Sequence, residues 1–343
     1  METDFTDLQE LGISVRETVW KKIDAKELKE KTLQTLRFAT YLVPTDGVHD
    51  FLDSDFWLVV SDRTYPPLTP LMPYGVMVYD YIQRYMPEFS PSVAPLESSW
   101  FSTVRHASFV LTTTEQTQSD AIQYAGVDAK KVFLRPMEFQ ALPLPVVLPP
   151  IHPRKYFLWV TNMSPHKNHG RELDALEVFY KELGGSYDVL IVGVDTHKLL
   201  DTSLDNYIYR RGLAHRIEKS LNLKKRCHVL EEVNEDTYVH TLHQAQFLWN
   251  PTLFDNGTFT VVEAACLKVP ALSSDYPTMR HMDKRFSLHL LFADPYDPLD
   301  MAWKLKKMEE ESEVRKIDLP DRFDLEKLTA KDLAQDFLSV NVS

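Results

Sequence analysis

The sequence predicts an α/β protein with two domains, the second of them built on a parallel sheet. Its 343 residues are about twice the length of an ordinary domain. In the second half, short apolar runs alternate with stretches of helical character, a pattern typical of parallel strands joined by crossover helices. Between the halves, residues 141–153 contain five of the 21 prolines, and such a segment continues neither a helix nor a central strand.

The proline-rich stretch sets the predicted domain boundaries. We expect an N-terminal α/β domain over 1–140, a linker over 141–153, a C-terminal domain over 154–320 and a helical tail over 321–343. The first 40 residues are predicted to be helical, including a charged run at 25–38. The rest of the first half contains a predicted helix at 119–127 and predicted strands at 55–62, 74–81, 107–115 and 130–136.

The second half repeats a strand–helix unit along its whole length. Short apolar runs predict strands at 156–162, 187–194, 227–233, 247–252 and 269–275. Helices are predicted between them, at 171–183, 211–223, 235–245 and 261–268. Parallel sheets bind ligands outside the carboxyl ends of their strands. The predicted ligand-binding loops are therefore 162–168, 194–198, 231–236, 252–258 and 274–278.

Composition excludes several classes of protein. The net charge of −12 argues against a nucleic-acid binder. The ten glycines form neither a GxGxxG nor a GxxxxGK motif, which excludes a dinucleotide fingerprint and a Walker loop. Two cysteines cannot form a disulfide framework. Because the sequence has no long apolar run and begins with an acidic segment, we expect a cytoplasmic protein.

The strongest local signal is a strand–loop–helix–strand pattern over 250–275. Asp255 is predicted to lie in the loop, and Glu263 within about the first turn of the helix. The neighbours of Glu263 in VVEAAC offer its carboxylate no partner, and a buried carboxylate needs hydrogen-bond donors. The hydroxyl groups of a sugar or a ribose would supply them. The alternative is a carboxylate stabilised by the helix dipole, next to an ordinary Asp-Asn-Gly turn.

The second signal is the turn after the first strand of the C-terminal domain, TNMSPHKNHGREL at 161–173. His166, Lys167 and Asn168 occupy the point where a helix begins at the carboxyl end of a strand. A cation beside unpaired backbone N–H groups suits a phosphate. The alternative is a lysine in an exposed loop.

Together the two segments resemble the donor-binding half of the family 4 retaining glycosyltransferases, which have the two-domain GT-B fold. The lysine that binds the donor diphosphate in that family falls on Lys167, whereas the usual arginine position falls on Asn162. His166 is a candidate to replace the missing cation in part. The two family glutamates, which contact the transferred sugar and the donor ribose, fall on Asp255 and Glu263. The intervening loop, whose amides approach sugar and phosphate, falls on Asn256, Gly257, Thr258 and Phe259.

The resemblance covers roughly 55–310 and is weaker in the first half. FADPYDPLDMAWKLKKM at 292–308 is similar to the family's strand, Asp-Pro and helix near the C-terminus. The family's His-Asp pair, which faces the acceptor, falls on Tyr79 and Asp80, so the histidine is missing. Relatives also begin with a glycine-rich loop, but residues 1–50 contain only two glycines. We therefore expect an abbreviated N-terminal domain or a chain that is a module of a larger protein or complex.

The resemblance implies a hexosyltransferase that moves a sugar, with retention of configuration, from a nucleotide-diphosphate donor to a hydroxyl. The donor would be GDP-mannose or a UDP-sugar, and the acceptor a glycan or a lipid-linked glycan, as in bacterial surface-polysaccharide synthesis. No metal, other cofactor or nucleic acid is implied, and peripheral contact with the inner face of a membrane is compatible with such acceptors. Two alternatives remain, namely a degenerate glycosyltransferase acting as a scaffold or partner subunit, and a sugar-nucleotide epimerase or hydrolase on the same fold.

Three further patterns have simpler interpretations. The triplet Asp53-Ser54-Asp55 could bind Mn²⁺ in a different glycosyltransferase fold, but a turn before a strand is favoured. The pairs His166/His169 and His240/His243 have the spacing of metal ligands. No third ligand is evident in the sequence for either pair, so ordinary helix histidines are favoured.

Overall fold

The computed structural model describes residues 19–24, 40–47, 51–64, 66–68, 72–86, 90–137, 139–144, 149–203 and 208–327. The chain divides into two compact units, Met1–Leu134 and Arg135–Asn341. The proline-rich stretch 141–153 belongs to the beginning of the second unit.

The first unit contains a four-stranded parallel sheet in the order β3-β4-β5-β6. Its strands are β3 Trp57–Val59, β4 Tyr74–Val78, β5 Phe109–Thr112 and β6 Val132–Leu134. The described helices are α1 Ile82–Tyr85, α2 Ser90–His106 and α3 Glu115–Gln123. Buried side chains from β4, β5, α2 and α3 form the core of this unit, among them Val76, Val110, Val104 and Ala121.

An antiparallel pair of strands, β1 Val19–Asp24 and β2 Thr40–Thr45, precedes this sheet. The prediction of helix for the first 40 residues is therefore wrong at Val19–Asp24. Val, Trp and Ile in VWKKID favour a strand, and this strand has a partner in which Tyr41 and Val43 are buried. The charged run 25–38 lies outside the described residues.

The second unit contains a six-stranded parallel sheet in the order β12-β11-β10-β7-β8-β9. Its strands are β7 Tyr156–Val160, β8 Asp188–Val192, β9 Cys227–Glu231, β10 Leu248–Asn250, β11 Ala271–Ser274 and β12 Leu291–Ala293. Its helices are α4 His169–Lys181, α5 Ile208–Lys219, α6 Leu221–Arg226, α7 Glu235–Gln244, α8 Thr260–Cys266, α9 Pro277–Phe286, α10 Pro298–Arg315 and α11 Arg322–Lys327.

Aromatic side chains from neighbouring strands form the centre of the second core. Phe157 of β7 stacks on Phe247 with ring centres 4.8 Å apart, and Trp159 lies 5.4 Å from Trp249 of β10. All four are almost completely buried. Burial of each such side chain contributes roughly 1.5–3 kcal/mol or more to stability. This core fixes β7 against β10, which is where the candidate site is built.

The helices α1, α2 and α9 were not predicted. Proline is the second residue of α2 and the first residue of α9, where the missing N–H costs nothing because those positions have no intrahelical acceptor. Both cysteines, Cys227 and Cys266, are free and buried.

Candidate functional site

The candidate site lies at the carboxyl ends of β7 and β10, in the middle of the second sheet. The chain runs outward from β7 in one direction through β8 and β9, and in the other from β10 through β11 and β12. This reversal of strand order creates the crevice in which open α/β sheets bind ligands. The loops after β7 and β10 meet there, since the amide of Leu253 donates a 2.9 Å hydrogen bond to the carbonyl of His166.

A single turn of 3₁₀ helix, Pro165–Lys167, carries the predicted cation. It ends at Asn168, whose backbone is left-handed with φ of 65°, a conformation that asparagine tolerates well. The buried side-chain amide of Asn168 donates to the carbonyls of Pro295, at 2.7 Å, and Pro251, at 3.4 Å. The turn is thereby attached to the loops that follow β10 and β12.

Lys167 and Asp255 are brought together in the crevice. The Lys167 Nζ lies 3.5 Å from Asp255 Oδ2 and donates to Thr252 Oγ1 at 3.3 Å. The lysine side chain is 15% exposed and that of Asp255 11%, so both groups are largely shielded from water. A charge pair in such surroundings acts more strongly than one on the surface.

Asp255 is held by donors on its other oxygen. Oδ1 accepts hydrogen bonds from the amide of Gly257 at 2.8 Å and from the phenol of Tyr276 at 2.6 Å. Burial, followed by the negative charge of Asp255, raises the pKa of Tyr276 well above its usual range, so the phenol stays a neutral donor. The Gly257 amide and the Tyr276 phenol therefore fix the orientation of the Asp255 carboxylate.

Asn162, at the usual arginine position, and His166, the candidate to replace that cation, supply no positive charge at pH 7. Burial, and then the charge of Lys167, lower the pKa of His166 to about 4, which leaves the imidazole neutral at pH 7. The idea that His166 replaces the missing arginine charge is therefore not supported. Asn162 accepts a 2.9 Å hydrogen bond from the amide of Ser164 through its side-chain oxygen, and so shapes the turn.

Glu263 has a partner that the local sequence did not reveal. It lies in the first turn of α8, and its Oε2 accepts a 2.6 Å hydrogen bond from the phenol of Tyr238 in α7. The adjacent sequence VVEAAC offers this carboxylate no partner, and the structure supplies one from an element 25 residues earlier in the chain. Burial raises the pKa of Glu263, although the Tyr238 hydrogen bond opposes this shift.

The loop from Asn256 to Phe259 packs closely on its own unit. Gly257 has φ of 87°, and a Cβ at this position would lie 2.8 Å from Met282 Cγ, so neither the conformation nor the space suits another residue. Thr258 Oγ1 accepts from the amide of Thr260 at 3.3 Å. The half-buried ring of Phe259 packs against the buried rings of Phe139 and Phe286.

In the first unit, Tyr79 and Asp80 follow β4 at the carboxyl edge of its sheet. Asp80 Oδ1 accepts hydrogen bonds from Arg63 Nη2 at 2.8 Å and from the amide of Ile82 at 3.0 Å. The carbonyl of Tyr79 accepts from the hydroxyls of Thr113 and Thr117. Both residues are half-buried, and the backbone at this edge is firmly held.

Sequence reasoning missed Asp62, which follows β3 at the same edge. Its carboxylate is buried and has no hydrogen-bond partner among the described residues, while Arg63 lies 3.7 Å away. Burial raises the pKa of Asp62 to about 6 despite the neighbouring guanidinium. Its place as the last residue of the predicted strand 55–62 was the available signal, but neither its burial nor its lack of hydrogen-bond donors is visible in the sequence.

Glu172 was also missed, and it lies in the first turn of α4, directly after the turn that carries Lys167. It is completely buried, and neither carboxylate oxygen has a hydrogen-bond partner within the described residues. Burial raises the pKa of Glu172 well above 4.5, against the opposing charge of Lys167. The folded protein therefore holds this side chain protonated at a pH at which the unfolded chain has lost the proton.

Glu172→Gln is expected to stabilise the protein increasingly as the pH rises. Because the pKa of Glu172 is higher in the folded than in the unfolded chain, its contribution to the free energy of unfolding is fully present below the unfolded-state pKa. Above that pKa the free energy of unfolding falls by up to about 1.4 kcal/mol per pH unit. The uncharged amide removes this loss, so the melting temperature of the variant should exceed that of the original chain by a margin that grows from pH 5 to pH 8. Glu182→Gln, at the exposed residue directly after the same helix, is the matched control and should show no such trend. A constant difference across this range would contradict the prediction.

The other candidate metal pairs remain ordinary side chains. Among the residues that the structure describes, no third ligand joins His166 with His169 or His240 with His243. Nε2 of His240 lies 3.0 Å from the carbonyl of Pro149. The hydroxyl of Ser54 donates to the carbonyl of Phe51 at 2.7 Å, which forms the expected turn before β3.

Comparison with protein families identifies the chain. Residues 146–318, just over half of the sequence and most of the second unit, match the family described as glycosyl transferases group 1. The chain belongs to this family. The candidate site at the carboxyl ends of β7 and β10, with Lys167, Asp255 and Glu263, lies within the matched region.

Solved structures of glycosyltransferases have a similar fold. HepE of Anabaena, in complex with UDP and glucose, is 14% identical over 78% of this chain and 72% of its own, with a TM-score of 0.55. Sucrose-phosphate synthase of Thermosynechococcus elongatus is 13% identical over 78% of this chain and 68% of its own, with a TM-score of 0.57. A UDP-forming α,α-trehalose-phosphate synthase of Burkholderia vietnamiensis is 13% identical over 79% of this chain and 67% of its own, with a TM-score of 0.55.

These likenesses confirm the predicted GT-B class of fold. A comparison with curated proteins found no match to this glycosyltransferase. In the part of the chain that is described, no helix combines the length and the apolar character needed to cross a membrane.

Proposed function

We propose that this glycosyltransferase transfers a sugar, with retention of configuration and without a metal ion, from a nucleotide-diphosphate donor to a hydroxyl of a glycan or lipid-linked acceptor. The observation that carries the proposal is the shielded Lys167–Asp255 pair at the point where the strand order of the second sheet reverses. That position suits a diphosphate and the sugar attached to it.

Lys167 is proposed to stabilise the leaving diphosphate. Negative charge builds up on the diphosphate as its bond to the sugar breaks, and a fixed cation lowers the energy of that state more than that of the bound donor. The ammonium group is held by Asp255 at 3.5 Å and by the Thr252 hydroxyl at 3.3 Å. Both contacts are long enough for a phosphate oxygen to approach the same group.

Asp255 is proposed to orient the transferred sugar, and Glu263 the ribose. With Oδ1 of Asp255 fixed by Gly257 and Tyr276, Oδ2 is left to face the crevice and can accept from a sugar hydroxyl. Glu263 uses Oε2 for Tyr238, and no described residue donates to its Oε1, which can accept from ribose hydroxyls. Tyr79 and Asp80 are proposed for the acceptor side, from the sequence resemblance.

In the proposed mechanism the acceptor hydroxyl attacks the face that the nucleotide leaves, which retains the anomeric configuration. The C–O bond to the diphosphate breaks, the bond to the acceptor oxygen forms, and the acceptor proton passes to the departing phosphate oxygen. No protein base is needed for this transfer, and the proposal accordingly assigns none. Lys167 and the carboxylates then act through charge and position alone.

A second candidate function, a non-catalytic partner subunit, is favoured by one observation. Asn162 stands at the usual arginine position and His166 is neutral, so the diphosphate would meet a single side-chain cation. Such a protein would bind nucleotide and release no product.

The experiment that separates these functions measures binding and turnover with the same donors. UDP-glucose, other UDP-sugars and GDP-mannose are each titrated while the melting temperature is followed, and products are then analysed by mass spectrometry with glycan and lipid-linked acceptors. Stabilisation with acceptor-dependent product supports the transferase, since a ligand at about 100 times its Kd adds about 2.7 kcal/mol. Stabilisation without product supports the partner subunit, and donor cleavage without acceptor supports a hydrolase or epimerase. A melting temperature unchanged by every donor would contradict all three.

Glu263→Gln is expected to remove discrimination between UDP and 2′-deoxy-UDP. The original chain should bind UDP about 10- to 100-fold more tightly, because a hydrogen bond to a charged acceptor is worth about 1.5–3 kcal/mol. The variant should bind UDP more weakly and the deoxynucleotide with little change, as measured by calorimetry. Tyr238→Phe is the control for disturbance of α8, because it removes the neighbouring hydroxyl and leaves the carboxylate. Equal discrimination in Glu263→Gln and the original chain would exclude the ribose role.

A further inference from the structure

A second cluster of potential ligands lies at the opposite edge of the same sheet, where the strands begin. It consists of His152, Asp188 and His228, whose ligand atoms all lie within 4.8 Å of one another. Asp188 is the first residue of β8, His228 the second residue of β9, and His152 precedes β7. The cluster is therefore separate from the loops at the carboxyl edge that hold Lys167 and Asp255.

The geometry of the cluster suits a small divalent ion. Asp188 Oδ2 lies 2.8 Å from His152 Nε2 and 3.2 Å from His228 Nε2. Ligands about 2.0–2.2 Å from a tetrahedral zinc ion lie roughly 3–3.5 Å apart, which is close to this spacing. Both imidazoles turn Nε2 towards the same carboxylate oxygen, so the three potential ligand atoms lie next to one another.

The carboxylate is prepared as a ligand by its other contacts. Oδ1 of Asp188 accepts from Arg226 Nη1 at 2.9 Å, and Arg154 Nε lies 3.5 Å away. Hydrogen bonds to the non-ligating oxygen orient carboxylates in metal sites. The two guanidinium groups also reduce the affinity for a cation, which favours a moderate rather than a very tight site.

The position of His152 gives such an ion a structural role. His152 lies in the segment just before β7, the first strand of the second unit, where the amide of Ile151 donates to Gln244 Oε1 at 3.0 Å. An ion would join this segment to Asp188, 36 residues later in sequence, and to His228, which lies a further 40 residues along the chain. A link across long loops stabilises the folded state because it restricts the unfolded chain. The His228 side chain is 36% exposed and that of His152 13%, which leaves room for solvent access and a water ligand.

We propose that His152, Asp188 and His228 bind one Zn²⁺ ion per chain, which fastens the beginning of the second unit to β8 and β9. Histidine nitrogen and carboxylate oxygen are normal zinc ligands, with water as the fourth. The site does not take part in the proposed sugar transfer, and its test is independent of whether the protein is active.

The test is a titration of the full chain, freed of metal by a chelator, with ZnCl₂. Calorimetry should give one site, and the melting temperature should rise by several degrees in excess zinc, whereas MgCl₂ should have no effect. His152→Ala and His228→Ala should each weaken zinc binding more than 10-fold. His215→Ala, which removes an exposed histidine paired with Glu218 on α5, should bind zinc like the original chain.

His228→Gln distinguishes a zinc site from a cluster of hydrogen bonds. The glutamine amide can still donate to Asp188 Oδ2 but is a poor zinc ligand. Without zinc, the His228→Gln variant should therefore have the same melting temperature as the original chain. Added zinc should not raise the melting temperature of the variant. Absence of a saturable one-to-one zinc site in the original chain would overturn the proposal, as would equal zinc binding by the original chain and His228→Gln.

Discussion

Lys167→Ala is expected to reduce sugar transfer by about 10²–10³-fold or more, the usual loss when a fixed group that stabilises developing charge is removed. The reason is the position of the ammonium group, which is shielded from water and lies where the proposed diphosphate would leave. Stability should change by at most about 1–2 kcal/mol, because Asp255 keeps its hydrogen bonds to Gly257 and Tyr276.

The measurement compares kcat/KM and melting temperature in Lys167→Ala and in a matched control. Lys306→Ala serves as that control, since it removes a partly buried lysine that is paired with Glu309 at 2.7 Å on α10. The control should lose little activity. Full transfer activity in Lys167→Ala would remove the lysine from the mechanism, while loss of folding in both variants would show that the lysines are structural.

Gly193→Ala is expected to prevent the second unit from folding, with a loss of more than about 4 kcal/mol. Gly193 follows β8 with φ of 137°, a conformation that other residues rarely adopt, and a Cβ would lie 1.8 Å from the carbonyl oxygen of Thr161. That oxygen belongs to the backbone directly after β7, so it cannot move aside without displacing the loop that carries Lys167.

Denaturant unfolding followed by tryptophan fluorescence tests this expectation, because Trp159 and Trp249 lie in the affected core. Gly184→Ala is the matched control. Gly184 also has a positive φ, of 64°, but a Cβ there meets no atom within 4 Å. The control should lose only about 1 kcal/mol. Similar losses in the two variants would show that the contact with Thr161 is relieved at little cost.

The strands of the second unit could be predicted because they are apolar on both faces and separated by helices of ordinary length. β7, β8, β9, β10 and β11 all lie within the stretches predicted for them. β1 could not be predicted in the same way, since a six-residue strand rich in lysine is defined by its pairing with β2. Local sequence carries little information about such a long-range partner.

The local positions of the candidate site residues could be predicted from the sequence, whereas the partners that hold them, which are distant in sequence, could not. Lys167, Asp255 and Glu263 each lie beside a strand end or a helix start, which local patterns reveal. Tyr276 and Tyr238, which hold the two carboxylates, come from elements 21 and 25 residues away and have no local signal. The neutrality of His166 likewise depends on burial, which only the fold defines.

Asn168 joins three loops from the interior of the second unit through its bonds to Pro251 and Pro295. Because the lysine-bearing turn is anchored by its backbone neighbour, the conformational entropy of ordering it is lost when the chain folds and not when a ligand arrives. The site is therefore preorganised, and an incoming diphosphate needs to displace water more than to rearrange protein. Under the proposed function, affinity for the donor diphosphate is expected to depend on the electrostatics of the Lys167 ammonium group rather than on ordering of the turn that carries it.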